Sequence, residues 1–223
     1  MLSSGFFCGS AVAIWYLCSG LTQRMYQKGE ERREAILRAT LRVIGAHGAD
    51  AVTHRAVAAE AGVPLSATTY YFESKEQLLQ QSLLLAAREE TERIERVVLD
   101  LAPRSLGVGE WAEAVSSVVG TSLRDDAATQ VALFELGLEA TRTPLLRDEL
   151  ADWQSALHRL AAMGCRSVGS DAPELDGTLV VAAIAGLMIQ GLASEAPDFE
   201  GSVLRPVLER LFARIAAGDP VSV

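Results

Sequence analysis

The stretch of sequence that decides the fold is THRAVAAEAGVPLSATTYYFESKEQLL, residues 53–79. Small residues dominate His54–Ala61, and this segment predicts a short helix. Gly62 is expected to end it, because glycine tolerates the backbone angles that a tight turn needs. A second short helix is predicted over residues 67–72. The stretch therefore reads as a helix, a tight turn and another helix.

Hydroxyl residues precede both of these helices. The side chain of Thr53, and then that of Ser66, can accept a hydrogen bond from a free amide of the first helical turn, so both are predicted N-caps. Two helices joined by a tight turn that contains glycine are the signature of the helix-turn-helix. Its second helix enters the major groove of DNA while its first crosses the backbone. The stretch therefore predicts a DNA-binding head.

Helical periodicity extends over the rest of the chain. Glu30–His47 carries apolar residues at three- and four-residue steps, and Gly48 is placed to end this helix. Alternating strand patterns are scarce. Further helices are predicted at about 75–98, 110–123, 127–140, 145–163, 174–193 and 199–217. We therefore predict an all-α fold, with an N-terminal three-helix head over residues 28–78 and a C-terminal helical body over residues 79–223.

The head resembles the DNA-binding head of the tetracycline-repressor (TetR) family. In that family a Thr precedes a small-residue helix, Ala-Gly-Val forms the turn, aromatic residues end the recognition helix, and Ser-Lys-Glu-x-Leu-Leu follows. The matching residues are Thr53, Ala58, Ala61, Gly62, Val63, Tyr70, Phe72, Ser74, Lys75, Glu76, Leu78 and Leu79. The resemblance implies a ligand-released repressor that binds a pseudo-palindromic DNA operator as a homodimer. It also assigns ligand binding and dimerisation to the body.

Five positions depart from the family pattern, and two of them are Pro64 and Leu65, which replace the frequent Ser-Lys. Thr68 stands where an apolar Leu is usual, Thr69 where the recognition helix usually has Tyr, and Tyr71 where His is common. The fold is compatible with these residues, but operator contacts cannot be copied from relatives.

DNA-binding residues follow from the resemblance, position by position. It implies phosphate contacts by Thr53, His54 and Arg55, which open the first helix of the motif, and by Lys75 after the second. The groove-facing candidates are Leu65, Ser66, Ala67, Thr69, Tyr70 and Tyr71. The recognition helix has no Arg, Asn or Gln, so specificity is expected to depend on Ser, Thr and Tyr contacts and on DNA shape. Packing is the alternative role for Tyr70.

The predicted helix over residues 174–193 is apolar nearly all round. Such a helix has to be buried on several sides, and its uncharged apolar run of about 13 residues is too short to span a membrane. In the family that the head resembles, the last two large helices pair with their twins in a four-helix dimer interface. On that basis the interface candidates are Leu187, Met188, Gly191, Val207, Leu208 and Leu211. A core helix within one chain is the alternative.

The middle helices of the body are expected to enclose a ligand pocket, as the resemblance implies. The candidate lining residues are Trp111, Phe134, Trp153, His158 and Met163. This mixture suggests an apolar or aromatic small-molecule effector. Ordinary core packing is the alternative for the aromatic residues.

Charge is distributed unevenly along the chain. It has 20 Lys and Arg against 29 Asp and Glu, a formal net charge of -9. Residues 25–82 carry equal numbers of basic and acidic side chains, so the excess of acid lies in the body. Phosphate contacts are local, because charges are screened within about 8–10 Å. A neutral head can therefore bind DNA while the acidic body stays off it.

An uncharged and largely apolar run, LSSGFFCGSAVAIWYLCSGL, occupies residues 2–21. It is long enough to cross a membrane, and Arg24 and Lys28 behind it would keep the body cytoplasmic. Three interpretations stay open. Translation starts at Met25, the run anchors a helical signalling or interaction protein in a membrane, or residues 1–27 form another kind of extension.

The sequence lacks the motifs of common enzyme classes, namely GxSxG, a Walker loop, HExxH and the Rossmann glycines. Its three cysteines form no CxxC pair and no cluster with zinc spacing. We therefore expect a cytoplasmic protein without catalysis, cofactor, metal or membrane association. Its expected partners are double-stranded DNA, a second copy of the chain and a small molecule.

Overall fold

The computed structural model describes residues 9–104, 106–194 and 198–218, with side chains described from residue 27 onward. In this part of the chain there are nine α-helices and no strand, which confirms the all-α prediction. The helices are α1 (Gly9–His47), α2 (His54–Ala61), α3 (Leu65–Tyr71), α4 (Lys75–Leu101), α5 (Val108–Asp125), α6 (Ala127–Glu139), α7 (Arg147–Ser167), α8 (Pro173–Leu192) and α9 (Arg205–Ala217). A π-helical turn at Glu200–Leu204 leads into α9.

Helix α1 is longer than its amphipathic part. The periodicity predicts a start at Glu30, whereas the helix begins at Gly9. An apolar stripe marks only the part of a helix that packs on a core, so it does not register a helix that continues beyond it. Of the run at residues 2–21, positions 2–8 lie outside the described residues, and only the backbone is described for residues 9–26.

Local hydrogen bonds shape the turn between α2 and α3. Thr53 accepts a hydrogen bond from the Ala56 amide at 3.1 Å, which confirms it as an N-cap. Gly62 adopts the left-handed conformation with φ 64°, as the sequence predicts. The amide of Val63 donates to the Ala58 carbonyl at 3.0 Å, which closes the helix end in a Schellman motif. The prediction of Ser66 as an N-cap is wrong.

Helix α3 begins at Leu65, with Pro64 as the residue before its first turn. Proline suits this position because its fixed φ, here −59°, leads into a helix and its missing N–H has no partner to lose. The Pro64 carbonyl accepts from the Ala67 amide at 2.9 Å. The helix therefore starts earlier than a Ser66 cap would allow.

Thr68 holds the two motif helices together. Its side chain has no exposed surface, and its hydroxyl lies 2.8 Å from the Leu65 carbonyl oxygen and 3.4 Å from that of His54 at the start of α2. A buried hydroxyl is tolerated when it is hydrogen-bonded. This contact explains how a polar residue occupies a core position where the family usually has Leu.

The first hydrophobic core joins the head to the body. It is built from α1, α2, the start of α4 and α6, and its largest fully buried side chains are Ile36, Ile44, Val52, Phe72, Leu78, Leu79, Leu83, Leu136 and Leu146. A Cβ built on Gly45 of α1 would lie 2.3 Å from the carbonyl oxygen of Ala128 in α6. The two helices are therefore packed backbone against backbone.

The second core lies wholly in the body. Its buried members include Trp111 of α5, Val180 of α8, and Leu208 and Phe212 of α9. Helix α7 lies along α8 so closely that a Cβ on Gly177 would stand 2.8 Å from the Ala162 amide nitrogen. Helix α8 is also the one helix within the described residues that is long and apolar enough to cross a membrane. A core helix passes the same test of length and composition.

Replacing Gly45 with alanine tests the contact between α1 and α6. The new Cβ would force the helices apart, and we expect the free energy of unfolding to fall by about 1–3 kcal/mol in thermal denaturation. Gly109→Ala in α5 is the matched control, because no atom lies within 4 Å of its Cβ position. The control should keep or gain stability, since alanine is the better helix former. Equal melting temperatures for the two variants would contradict the close packing.

Replacing Thr68 with valine tests the buried hydroxyl. The shape of the side chain is kept while its hydrogen bonds are lost, and we expect a destabilisation of about 1 kcal/mol. Thr69→Val is the matched control, because this neighbour is exposed and its hydroxyl faces only carbonyls of its own helix. The control should change stability by less than about 0.5 kcal/mol. A Thr68→Val protein as stable as the Thr69→Val protein would rule out the bridging role.

Candidate nucleic-acid interface and body cavity

Helix α3 turns a small polar and aromatic surface to solvent. Leu65, Ser66 and Thr69 are exposed, and Tyr70 exposes 81% of its surface. These four groove-facing candidates share one side of the helix. The Tyr70 ring therefore does not pack in the core, and it is available for an external contact.

The two other groove candidates are placed differently. Ala67 and Tyr71 are half-buried and pack against the first core. The Tyr71 ring meets the Tyr70 ring edge to face, with centroids 5.0 Å apart. Its hydroxyl lies 3.7 Å from the place of a Cβ on Gly29 of α1. Tyr71 thus supports α3 and Tyr70 from behind.

The residues predicted to contact phosphates lie at the start of α2 and at the start of α4, on either side of α3 in the chain. Arg55 and Thr53 are exposed, while His54 is half-buried and its Nδ1 has no hydrogen-bond partner among the described residues. The Nζ of Lys75 lies 3.7 Å from a carboxylate oxygen of Asp50 and 3.4 Å from its carbonyl oxygen. Lys75 is therefore held at the start of α4 by the turn that precedes α2.

A cavity of about 470 Å³ lies between helices α4 to α9, and we call it the body cavity. Its wall is largely apolar, with Ile94, Val115, Leu157 and Ile184 among the lining residues. Three of the five predicted pocket residues, Trp111, Phe134 and Trp153, line it. His158 and Met163 do not. Both sit on α7, but the positions of that helix that line the cavity are Leu150, Trp153, Gln154, Leu157, Leu160, Ala161 and Gly164.

Two polar side chains of the cavity wall, Glu90 and Gln130, lie within hydrogen-bond distance of each other, and a third, Gln154, lies on α7. Glu90 of α4 exposes only 12% of its side chain and forms an ion pair with Arg93. The side-chain amide of Gln130 in α6 donates to the same Glu90 oxygen at 3.4 Å. Burial lowers the pKa of Arg93, against the opposing effect of the Asp126 carboxylate. The indole N–H groups of Trp111 and Trp153 are buried without an acceptor among the described residues.

Sequence reasoning missed Glu90 and Gln130. The signal was present, because Glu90 lies four residues after Ala86 and four before Ile94, in the apolar stripe of α4. Gln130 likewise precedes Leu133 and Phe134 on one face of α6. A charged residue and an amide at core positions indicate a polar site within the apolar interior.

Most of the six predicted dimer-interface residues are covered within one chain. Leu208 has no exposed surface and Leu187 is buried, so these side chains belong to the core of one chain. Met188 lines the body cavity, and a Cβ on Gly191 would meet Leu123 and Phe199. Leu211 packs against the second core. Of the six candidates Val207 alone is exposed.

Helix α8 nevertheless presents an apolar stripe to solvent. Leu175, Leu179 and Ile189 are each more than half exposed, and the small Ala182 and Gly186 lie exposed between them. The helix was expected to be buried on several sides, but within one chain only its other faces are covered.

Two family models match the chain. The model described as "Bacterial regulatory proteins, tetR family" matches residues 36–81, and the one described as "Tetracyclin repressor-like, C-terminal domain" matches residues 106–216. In the part of the chain that the structure describes, no group of three or more His, Cys, Asp or Glu side chains could hold a metal ion.

Curated relatives are transcriptional regulators. The chain is 33% identical to the regulator BetI of Rhizobium meliloti over 77% of this chain and 84% of that protein. It is 28% identical to the nicotine-responsive repressor HdnoR of Paenarthrobacter nicotinovorans, over 58% and 67%. The match to PksA of Bacillus subtilis is 38% identical but covers only 34% of this chain and 37% of that one.

Solved structures give the same result. A complex of the multidrug binding protein EbrR with ethidium is 34% identical, with a TM-score of 0.58, over 81% of this chain and 98% of that one. A TetR-family member from Streptomyces coelicolor A3 is 33% identical, with a TM-score of 0.62, over 81% and 98%. A membrane-anchored signalling protein finds no support in these matches. The chain belongs to the TetR family of helix-turn-helix transcriptional regulators.

Proposed function

We propose that this protein is a ligand-released repressor that binds a pseudo-palindromic operator as a homodimer. The observation that carries the proposal is the position of α6, which contributes Leu136 to the core of the head and Phe134 to the wall of the body cavity. A molecule in the cavity and DNA on the head would therefore act on the same helix.

The operator is read by the exposed side of α3. Ser66 and Thr69 hydroxyls bond to base edges, the Tyr70 ring lies against a sugar or base, and Arg55 and Lys75 contact phosphates on either side. Short hydroxyl side chains give weaker discrimination than bidentate Arg or Asn contacts. DNA shape therefore contributes to specificity.

The homodimer forms through the exposed stripe of α8 with Val207 of α9. Large apolar residues on a surface mark an interaction site, and here Leu175, Leu179 and Ile189 are spaced along one face. The small Ala182 and Gly186 allow the same helix of a second copy to approach closely. Two heads related by a two-fold axis then meet half-sites about one helical turn apart, or a multiple of it.

The effector is an apolar or aromatic small molecule in the body cavity. Two tryptophans and two phenylalanines line a space of about 470 Å³, which lies in the size range of ligand pockets. The relative EbrR is described in complexes with ethidium, proflavin and malachite green, and HdnoR as nicotine-responsive. Release requires only that the effector binds the DNA-free arrangement more tightly than the DNA-bound one.

Gel-shift binding of the purified full chain tests the proposal. The DNA is the region upstream of its own gene and of the divergent neighbour, at two salt concentrations. We expect a specific, salt-sensitive complex that holds two protomers. Absence of affinity for any DNA at low salt, from a folded dimer, would refute DNA binding.

Lys75→Gln tests the phosphate contact. Removing one phosphate contact per protomer should weaken specific and non-specific binding alike, and the slope of log affinity against log salt should flatten by about one unit per protomer. Arg88→Gln is the matched control, because this exposed arginine of α4 lies in the body beside Glu92. If both variants keep the wild-type slope, Lys75 does not contact phosphate.

Ser66→Ala with Thr69→Ala tests base readout. Each lost base contact should cost about 1–3 kcal/mol of discrimination. The affinity for the operator should therefore fall toward that for unrelated DNA, while non-specific affinity and melting temperature are kept. Competition gel shifts with operator and scrambled DNA measure the ratio. An unchanged ratio would show that these hydroxyls do not read the sequence.

A further inference from the structure

Glu90 is the only ionisable side chain among the described residues that line the body cavity. The rest of the wall is apolar or aromatic, apart from the amides of Gln130 and Gln154. No Lys, Arg or His lines it. The cavity wall therefore carries a single negative charge and has no group that would neutralise a carboxylate or phosphate on a ligand.

A carboxylate in such a wall needs compensation, because a buried charge without a partner is costly. In this structure Arg93, one turn further along α4, supplies it, and the Gln130 amide adds a long hydrogen bond of 3.4 Å. The Asp126 carboxylate, next to the first residue of α6, also raises the pKa of Arg93 against the effect of burial. Arg93 therefore stays charged opposite Glu90 in the negative field of a second acid.

Aromatic rings complete the environment for a positive charge. The rings of Trp111, Phe134 and Trp153 line the same cavity. The face of an aromatic ring attracts a cation, and tryptophan does so most strongly. A flat cation would thus find both aromatic surface and one opposite charge.

We propose that the effector is an aromatic monocation whose charge is recognised by Glu90. The effector competes with Arg93, the internal cation, for the Glu90 carboxylate. This inference rests on the proposed function, because it takes the body cavity as the effector site. It adds the charge class of the effector and the residue that selects it.

Two substitutions follow with opposite expected effects. Glu90→Gln keeps the shape of the side chain and removes its charge, so the affinity for an aromatic cation should fall at least about tenfold. Arg93→Gln removes the competing cation, so the same affinity should rise. Glu95→Gln and Arg96→Gln are the matched controls, because both residues are exposed on α4 and neither lines the cavity.

Binding is measured on the full chain without DNA, by fluorescence titration with three probes. Ethidium is the cation, N-phenyl-1-naphthylamine is a neutral aromatic, and 8-anilino-1-naphthalenesulfonate is the anion built on the same skeleton as the neutral probe. We expect the wild-type chain to bind ethidium and the neutral probe and to bind the anion weakly. The Glu90→Gln variant should lose affinity for ethidium and keep the wild-type affinity for the neutral probe.

Several results would overturn the inference. Among them are unchanged ethidium affinity in Glu90→Gln, a parallel loss of neutral-probe affinity, or anion binding as tight as that of ethidium. If the Glu90→Gln variant does not fold, the affinity of the Arg93→Gln variant for ethidium tests the proposal instead. Unchanged or weaker ethidium binding by that variant would contradict it. DNA is absent from these titrations, so their result does not depend on operator binding. A chain that binds the probes as expected but binds no operator would support cation recognition by Glu90 and contradict the proposed repressor function.

Discussion

Helix α6 lies against α1 so closely that Gly45 leaves no space for a Cβ beside the Ala128 carbonyl. The other features of the molecule depend on this contact. The three helices of the head are too small to bury a sufficient core by themselves, and α6 supplies Ala132, Leu133 and Leu136 to it. The head is therefore held by the body, and its orientation is set by the helix that also forms a wall of the cavity.

The helix-turn-helix could be predicted because its determinants are local. A cap at Thr53, a glycine with positive φ at position 62 and a buried aromatic at Phe72 each act within a few residues of the chain. The cap at Ser66 failed for an equally local reason, since Pro64 starts the helix earlier. Local sequence features thus predict that the helices exist, but they leave the first residue of each helix uncertain by up to one turn.

The cavity and the proposed dimer face were harder to predict because they depend on which neighbour covers each face. Helix α8 is apolar on all sides, so its sequence does not distinguish the face that meets α7 from the face that meets solvent. Leu187 and Leu175 are equally apolar, yet one is buried and the other is exposed. Polar exceptions carry more information. Glu90, within the apolar stripe of α4, marks the cavity better than any of the aromatic residues, because packing alone gives no reason for a carboxylate there.

The hydrogen bond from Gln130 to Glu90 joins α4 to α6 within the cavity wall. Gln130 is two residues from Ala128, where α6 touches the head, and four residues from Asp126, which attracts Arg93. A cation that pairs with the Glu90 carboxylate would weaken the bonds of Glu90 to Arg93 and to Gln130 of α6. Charge recognition would then act on the end of α6 that bears on Gly45. Since packed helices move as units between discrete arrangements, such a change would be passed to α1 and, in the proposed dimer, would alter the distance between the two recognition helices.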